Sequence, residues 1–107
     1  MTHIIENIVY LELLRRGYVV DIGKNRNKEI DFLAKDFIGN LYYIQVSYNL
    51  EDEQTRKREI SAFYHLDDGY KKIVITMDNN PFTNLGNGYR KLLLFDFLLE
   101  DDSLEKA

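Results

Sequence analysis

With 107 residues, a formal net charge of −4, no cysteine and one proline, the chain has room for one modest core and excludes disulfides and thiolate metal sites. Its 45% apolar and 30% charged residues are those of a globular domain, and no apolar run approaches the ~18–20 residues that span a bilayer. The start, Met1 to Glu6, lacks the basic opening of a signal peptide, so a cytoplasmic setting is expected, and the acidic balance argues against a general nucleic-acid coat.

Residues 3–16 predict a helix, with Ile5, Val9 and Leu13 on one stripe, Ile4, Ile8 and Leu11 on another, and Gly17 to stop it. Apolar residues on most sides predict that it is well buried. A first strand is expected from Gly17 to Gly23, then a polar turn over 24–27. Second and third strands follow at 29–34 and 41–47, joined near Gly39-Asn40. Residues 50–66 predict a second helix, with Glu51, Asp52 and Glu53 at its positive end and acid-before-base pairs Asp52–Arg56 and Glu53–Lys57. Its apolar face is confined to Ile60, Phe63 and Tyr64, and Asp68-Gly69 closes it. Lys72 to Met77 is a fourth strand, 79–88 a loop, Lys91 to Phe95 a fifth strand, and Asp96 the cap of a short helix through Leu99. The order αβββαββα over a single unit, 1–107, predicts an α/β fold with a mixed sheet flanked by helices.

Two adjacent strands carry polar groups among apolar and aromatic residues. Alternation puts Asp31 on one face with Glu29 and Leu33, and Gln45 on one face with Ser47. Aspartate is disfavoured inside strands, so Asp31 is the marker that asks most for a reason. Glu6 sits on the Val9–Leu13 stripe, where a ligand and a hydrogen-bonded, half-buried acid are equally suitable readings. Gln45 and Ser47 also suit an ordinary half-exposed strand. Arg15, Arg16, Lys24, Arg26 and Lys28 cluster, and Arg56, Lys57 and Arg58 form a second group. Arg15, Arg16, Lys57 and Arg58 are the candidate phosphate contacts, set against the plainer reading of ion-paired, solvated faces. Tyr42, Tyr43 and Tyr48 are suited to base stacking or to packing. His3 and His65 show no ligand spacing.

The element order, with Glu6 in the first helix, Asp31 in the second strand and Gln45-x-Ser47 in the third, resembles the PD-(D/E)XK nuclease fold shared by Holliday-junction resolvases and many restriction enzymes. At closer range the chain resembles the domain of unknown function that follows the P-loop module in a group of prokaryotic AAA-type ATPases. The matching segments are Glu6 to Leu13, Arg16-Gly17-Tyr18, Glu29 to Phe32, Tyr42 to Tyr48, Arg58-Glu59, Asp67 with Lys72, and Asp96 to Leu99. No glycine-rich phosphate loop occurs here, so the resemblance implies the C-terminal part of a longer protein. ATP and Mg²⁺ would then belong to the absent module, and the partners would be that module and DNA, with no membrane.

In nucleases of that fold, the resemblance implies, acids from the first helix and the strands hold Mg²⁺. Glu6, Asp31 and Gln45 match the metal positions, but Gln45 brings only a neutral carbonyl oxygen where an acid is wanted. Ser47 stands where a lysine would stabilise charge on phosphorus, a loss typically worth ~10²–10³ in rate. The site Glu6, Asp31, Gln45 and Ser47 is therefore expected to be vestigial, binding Mg²⁺ weakly at most. The alternatives are an active Mg²⁺-dependent endonuclease with a relocated lysine, Lys57 being the candidate, and a pure protein-interaction module.

Overall fold

The computed structural model describes residues 2–107, and Met1 lies outside them. Helix α1 (Thr2–Arg15) leads into strands β1 (Val19–Asn25), β2 (Lys28–Lys35) and β3 (Leu41–Ser47). Helix α2 (Glu53–Ser61) and strand β4 (Lys71–Thr76) follow, then β5 (Asn84–Gly86), β6 (Tyr89–Leu93), α3 (Leu94–Leu99) and α4 (Ser103–Lys106). The six strands form one sheet in the order β1-β2-β3-β4-β6-β5. The first three make an antiparallel meander, while β3, β4 and β6 run parallel. Parallel neighbours need a crossover, and α2 supplies it between β3 and β4. The αβββαβ order and the α/β class expected from the sequence are both present.

Each face of the sheet has its own core. Ile5, Val9 and Leu13 of α1 pack with Tyr42, Ile44, Val46, Ile73 and Ile75, and α3 and α4 extend this layer with Leu94, Phe97 and Leu104. On the other face Ala62 and Phe63, just beyond α2, pack with Ile30, Leu50, Val74 and Tyr89.

The burial expected for α1 is corrected here. Ile5, Val9 and Leu13 are buried, but Ile4 is 61% and Leu11 55% exposed, with Ile8 and Leu14 also outward. A helix laid on one side of a sheet buries a single stripe of about 100°, and among the described residues nothing covers the other. The second helix is shorter than expected. Asp52 is its N-cap, accepting from Thr55 N (2.9 Å) and Oγ1 (2.8 Å). The expected Asp52–Arg56 pair does not form among the described residues, whereas Lys57–Glu53 does at 3.2 Å. Strand β5 lies inside the expected loop and α4 beyond the expected end. Asp96 is no cap: Leu93 leads straight from β6 into α3 without a side-chain cap, and Asp96 sits in the first turn, where the helix dipole favours an acid.

The β1–β2 ladder slips where it matters most. Asp21 pairs with Leu33 but Gly23 with Ile30, so Asp31 and Phe32 together oppose Ile22. Such a bulge bends the strand and re-aims its side chains, and Ile30 and Leu33 both join the α2-side core. The expected period-two face of Glu29, Asp31 and Leu33 is thereby broken. Gly23 permits the close approach: a Cβ there would lie 2.8 Å from Leu33 Cδ2 and 3.0 Å from Ile30 Cβ. Gly23→Ala is expected to cost about 1–3 kcal/mol in urea unfolding, since Ile30 is fully buried.

Candidate functional site

Strands β2 and β3 pair from Phe32↔Ile44 to Lys35↔Leu41, and toward the start of β2 the two part. Side chains bridge the opening. Asp31 N donates to Gln45 Oε1 at 2.7 Å, and Val46 N donates to Asp31 Oδ2 at 2.8 Å. Each side chain supplies a partner that the interrupted ladder would otherwise have given, because buried backbone groups must be paired. Gln45 Nε2 then donates to the carbonyl oxygen and to Oε2 of Glu59, both at 3.3 Å. One amide thus ties together β2, β3 and α2.

Three carboxylates surround this junction. Burial pushes Asp31 up to about 6, the Val46 N–H opposes the shift, and the charges of Glu6 and Glu29 add to it. Burial likewise pushes Glu59 up to about 7, helped by Asp31 and Glu6 and opposed by Arg58. Glu6, on α1, also meets the His3 ring at 3.3 Å. The cluster favours an added positive charge, and a proton is the simplest one.

The residues present do not fit a resident Mg²⁺. Among the described residues no three or more acid, histidine or cysteine side chains are grouped closely enough to share a metal ion. The oxygen that Gln45 would offer is bonded to Asp31 N, and Asp31 Oδ2 to Val46 N. Ser47 is buried, and its Oγ donates locally to the Asn49 carbonyl at 3.4 Å.

The expected cations lie elsewhere. Lys57 is exposed and paired with Glu53, so no relocated lysine enters from that position. Arg58 lies 3.8 Å from Glu59 with an exposed side chain. Arg15 pairs with Glu12 and Asp101 on the surface. Arg16, expected as a phosphate contact, has a side chain that is only 5% exposed. It donates to Glu12 (2.7 Å), Ser103 Oγ (3.1 Å) and the Phe97 carbonyl, and its guanidinium lies 4.5 Å from the Phe97 ring centroid. Arg16 therefore clamps α3 and α4 to α1. Tyr42 is buried and Tyr48 half exposed.

Glu59 is the site residue that the sequence reading missed. Its position four before the buried Phe63 places it on the inward row of α2, a usable signal.

No described protein family matches the chain, and no solved structure matches it. It is 40% identical over 96 residues to an uncharacterised protein of Haemophilus influenzae, covering 90% of this chain and 23% of that protein. It is 45% identical over 64 residues to an uncharacterised protein of Methanocaldococcus jannaschii, covering 56% of this chain and 14% of that protein. The chain therefore spans less than a quarter of the length of these relatives. Among the described residues no helix is long and apolar enough to cross a membrane.

Proposed function

We propose that this is a nuclease-like accessory domain of a longer, cytoplasmic AAA-type ATPase, one that has given up cleavage and contacts DNA or the ATPase module itself. The supporting observation is the Gln45 bridge. An amide bonded to Asp31 N and Glu59 stands at the position that the resemblance assigns to a charged ligand, with Ser47 and not a lysine two residues on. The length of the relatives fits a module within a larger protein, and ATP with Mg²⁺ would be the business of the other module.

Incubation with supercoiled and branched DNA in Mg²⁺ or Mn²⁺ is expected to give no cleavage, and metal-dependent nicking would overturn the reading. Salt-dependent DNA binding would identify DNA as the contact, because phosphate neutralisation releases counterions.

Gln45→Glu is expected to lower stability at neutral pH, since it removes the donors to Glu59 and adds a further carboxylate beside two that already resist ionisation. Ser47→Lys should restore part of the loss. Mn²⁺ titration should show tighter binding by the double variant than by the parent. Equal affinities would detach positions 45 and 47 from any former metal site.

A further inference from the structure

A second site lies at the other end of α2. Between the α2 N-terminus, the 78–84 loop and β6 is a cavity of about 510 Å³, within the range of small-molecule pockets. Arg56 lines it. Asp52, four residues before it, caps the helix through Oδ2, and Arg56 makes no ion pair among the described residues. Its one side-chain hydrogen bond goes from Nη1 to the Leu50 carbonyl at 3.3 Å, which leaves most of its donors unspent.

The rest of the lining tells the same story. Asn80 Oδ1 accepts from Phe82 N and Asn84 Oδ1 from Gly86 N, so each side-chain amide has its NH₂ left over. Lys91 at the floor uses two donors, on Asp78 Oδ1 (2.9 Å) and the Asn80 carbonyl (2.6 Å). Asp78 is already consumed, taking Leu50 N, Thr76 Oγ1, Asn80 N and Lys91, while the exposed Glu51 carboxylate also lines the cavity and makes no side-chain hydrogen bond or ion pair among the described residues. The cavity thus offers several unspent donors, one of them a cation that makes no ion pair, beside one free acid, Glu51. On its lip stands the Phe82 ring, 75% exposed.

We propose that this cavity binds a phosphate group carried on a planar ring, the chemistry of a nucleotide, with Arg56 and the Asn80 and Asn84 amides on the phosphate and the ring against Phe82. Arginine suits phosphate because its planar fork can bond two oxygens at once, and an exposed aromatic ring stacks on any base. Arg56 lies one helical turn before Glu59, so the site adjoins the acidic junction, but it stands on the cavity alone and not on a nuclease ancestry. The phosphate has two sources, a free nucleotide or the end of a strand.

The test is an ¹⁵N NMR titration of the intact chain with AMP, adenosine, inorganic phosphate and a 5′-phosphorylated tetranucleotide. AMP should shift the Arg56 Nε–H and the Asn80 and Asn84 side-chain signals and should bind more tightly than phosphate or adenosine. Arg56→Gln should weaken AMP about tenfold or more, and Arg56→Lys less. Phe82→Ala should weaken AMP while leaving phosphate unchanged. Tighter binding of the tetranucleotide than of AMP would make the ligand a strand end, and the reverse a free nucleotide. No shifts at these signals up to about 10 mM of any probe, or shifts untouched by Arg56→Gln, would overturn the proposal. A DNA-binding surface elsewhere would survive that result, and a cleavage-competent domain could still possess this site.

Discussion

Lys91→Met is expected to destabilise the domain by about 3–5 kcal/mol, the usual consequence of orphaning one member of a buried ion pair. Lys91 and Asp78 have side chains 5% and 1% exposed, with 2.9 Å between Nζ and Oδ1. Burial alone would raise the Asp78 carboxyl, but Lys91 and the Leu50 and Asn80 N–H groups outweigh it and hold it below the usual range. Without Lys91 a charged oxygen would remain in the core, and the Asn80 carbonyl would lose its donor. The pair also fastens three segments, those after β3 and β4 and β6 itself. A typical domain has about 5–15 kcal/mol of total stability, so much of it hangs here. Adding Asp78→Asn to Lys91→Met should recover part of the loss, because the amide oxygen can still accept from Leu50 N without bearing charge. Urea unfolding decides the matter, and a loss under about 1 kcal/mol for Lys91→Met would mean the pair is not the fastening described.

The second large effect is with pH. Asp31 at about 6 and Glu59 at about 7 keep protons in the folded state that the unfolded chain releases near pH 4. The native state therefore binds more protons across this window, and stability falls as pH rises from about 4 to about 7. Both groups retain some solvent contact, so the expected loss is about 2 kcal/mol rather than the sum of two full shifts. Acids whose values are depressed act in the opposite sense below this window. Glu12, held at about 2 chiefly by Arg15 and also by Arg16 against the effect of burial, is one, and Asp78 is another. A stability maximum near pH 4–5 follows. Glu59→Gln should flatten the descending limb and be more stable than the parent at pH 8. An equally steep limb in Asp31→Asn/Glu59→Gln would show that other groups cause it.

Much of the scaffold was legible because its signals are local. The Ile5–Val9–Leu13 stripe, the apolar run Ile73-Val74-Ile75 and the acidic start of α2 each fixed an element by periodicity or charge. What escaped depended on distant partners. Strand β5 is three residues long, too short for alternation to register. The bulge at Asp31-Phe32 is a relation between two strands. Asp31 and Gln45 were legible as markers because polar residues inside apolar strands need a reason. The inward turn of Arg16 needed Phe97 and Ser103, more than eighty positions away, to become visible.

The Arg16 clamp also has a bearing on synthesis. The ribosome delivers α1 more than eighty residues before the partners that hold it, because the hydrogen bonds from Arg16 close on Phe97 and Ser103. Until those residues emerge, a buried guanidinium has no carbonyl to meet, and the inner layer beneath α1 lacks Phe97 and Leu104. This layer cannot be completed piecemeal as α1 and the strands emerge, because its closing residues come last within the domain. It closes only when the final turns arrive, so premature termination upstream of Phe97 should yield a product for proteolysis rather than a shortened native domain.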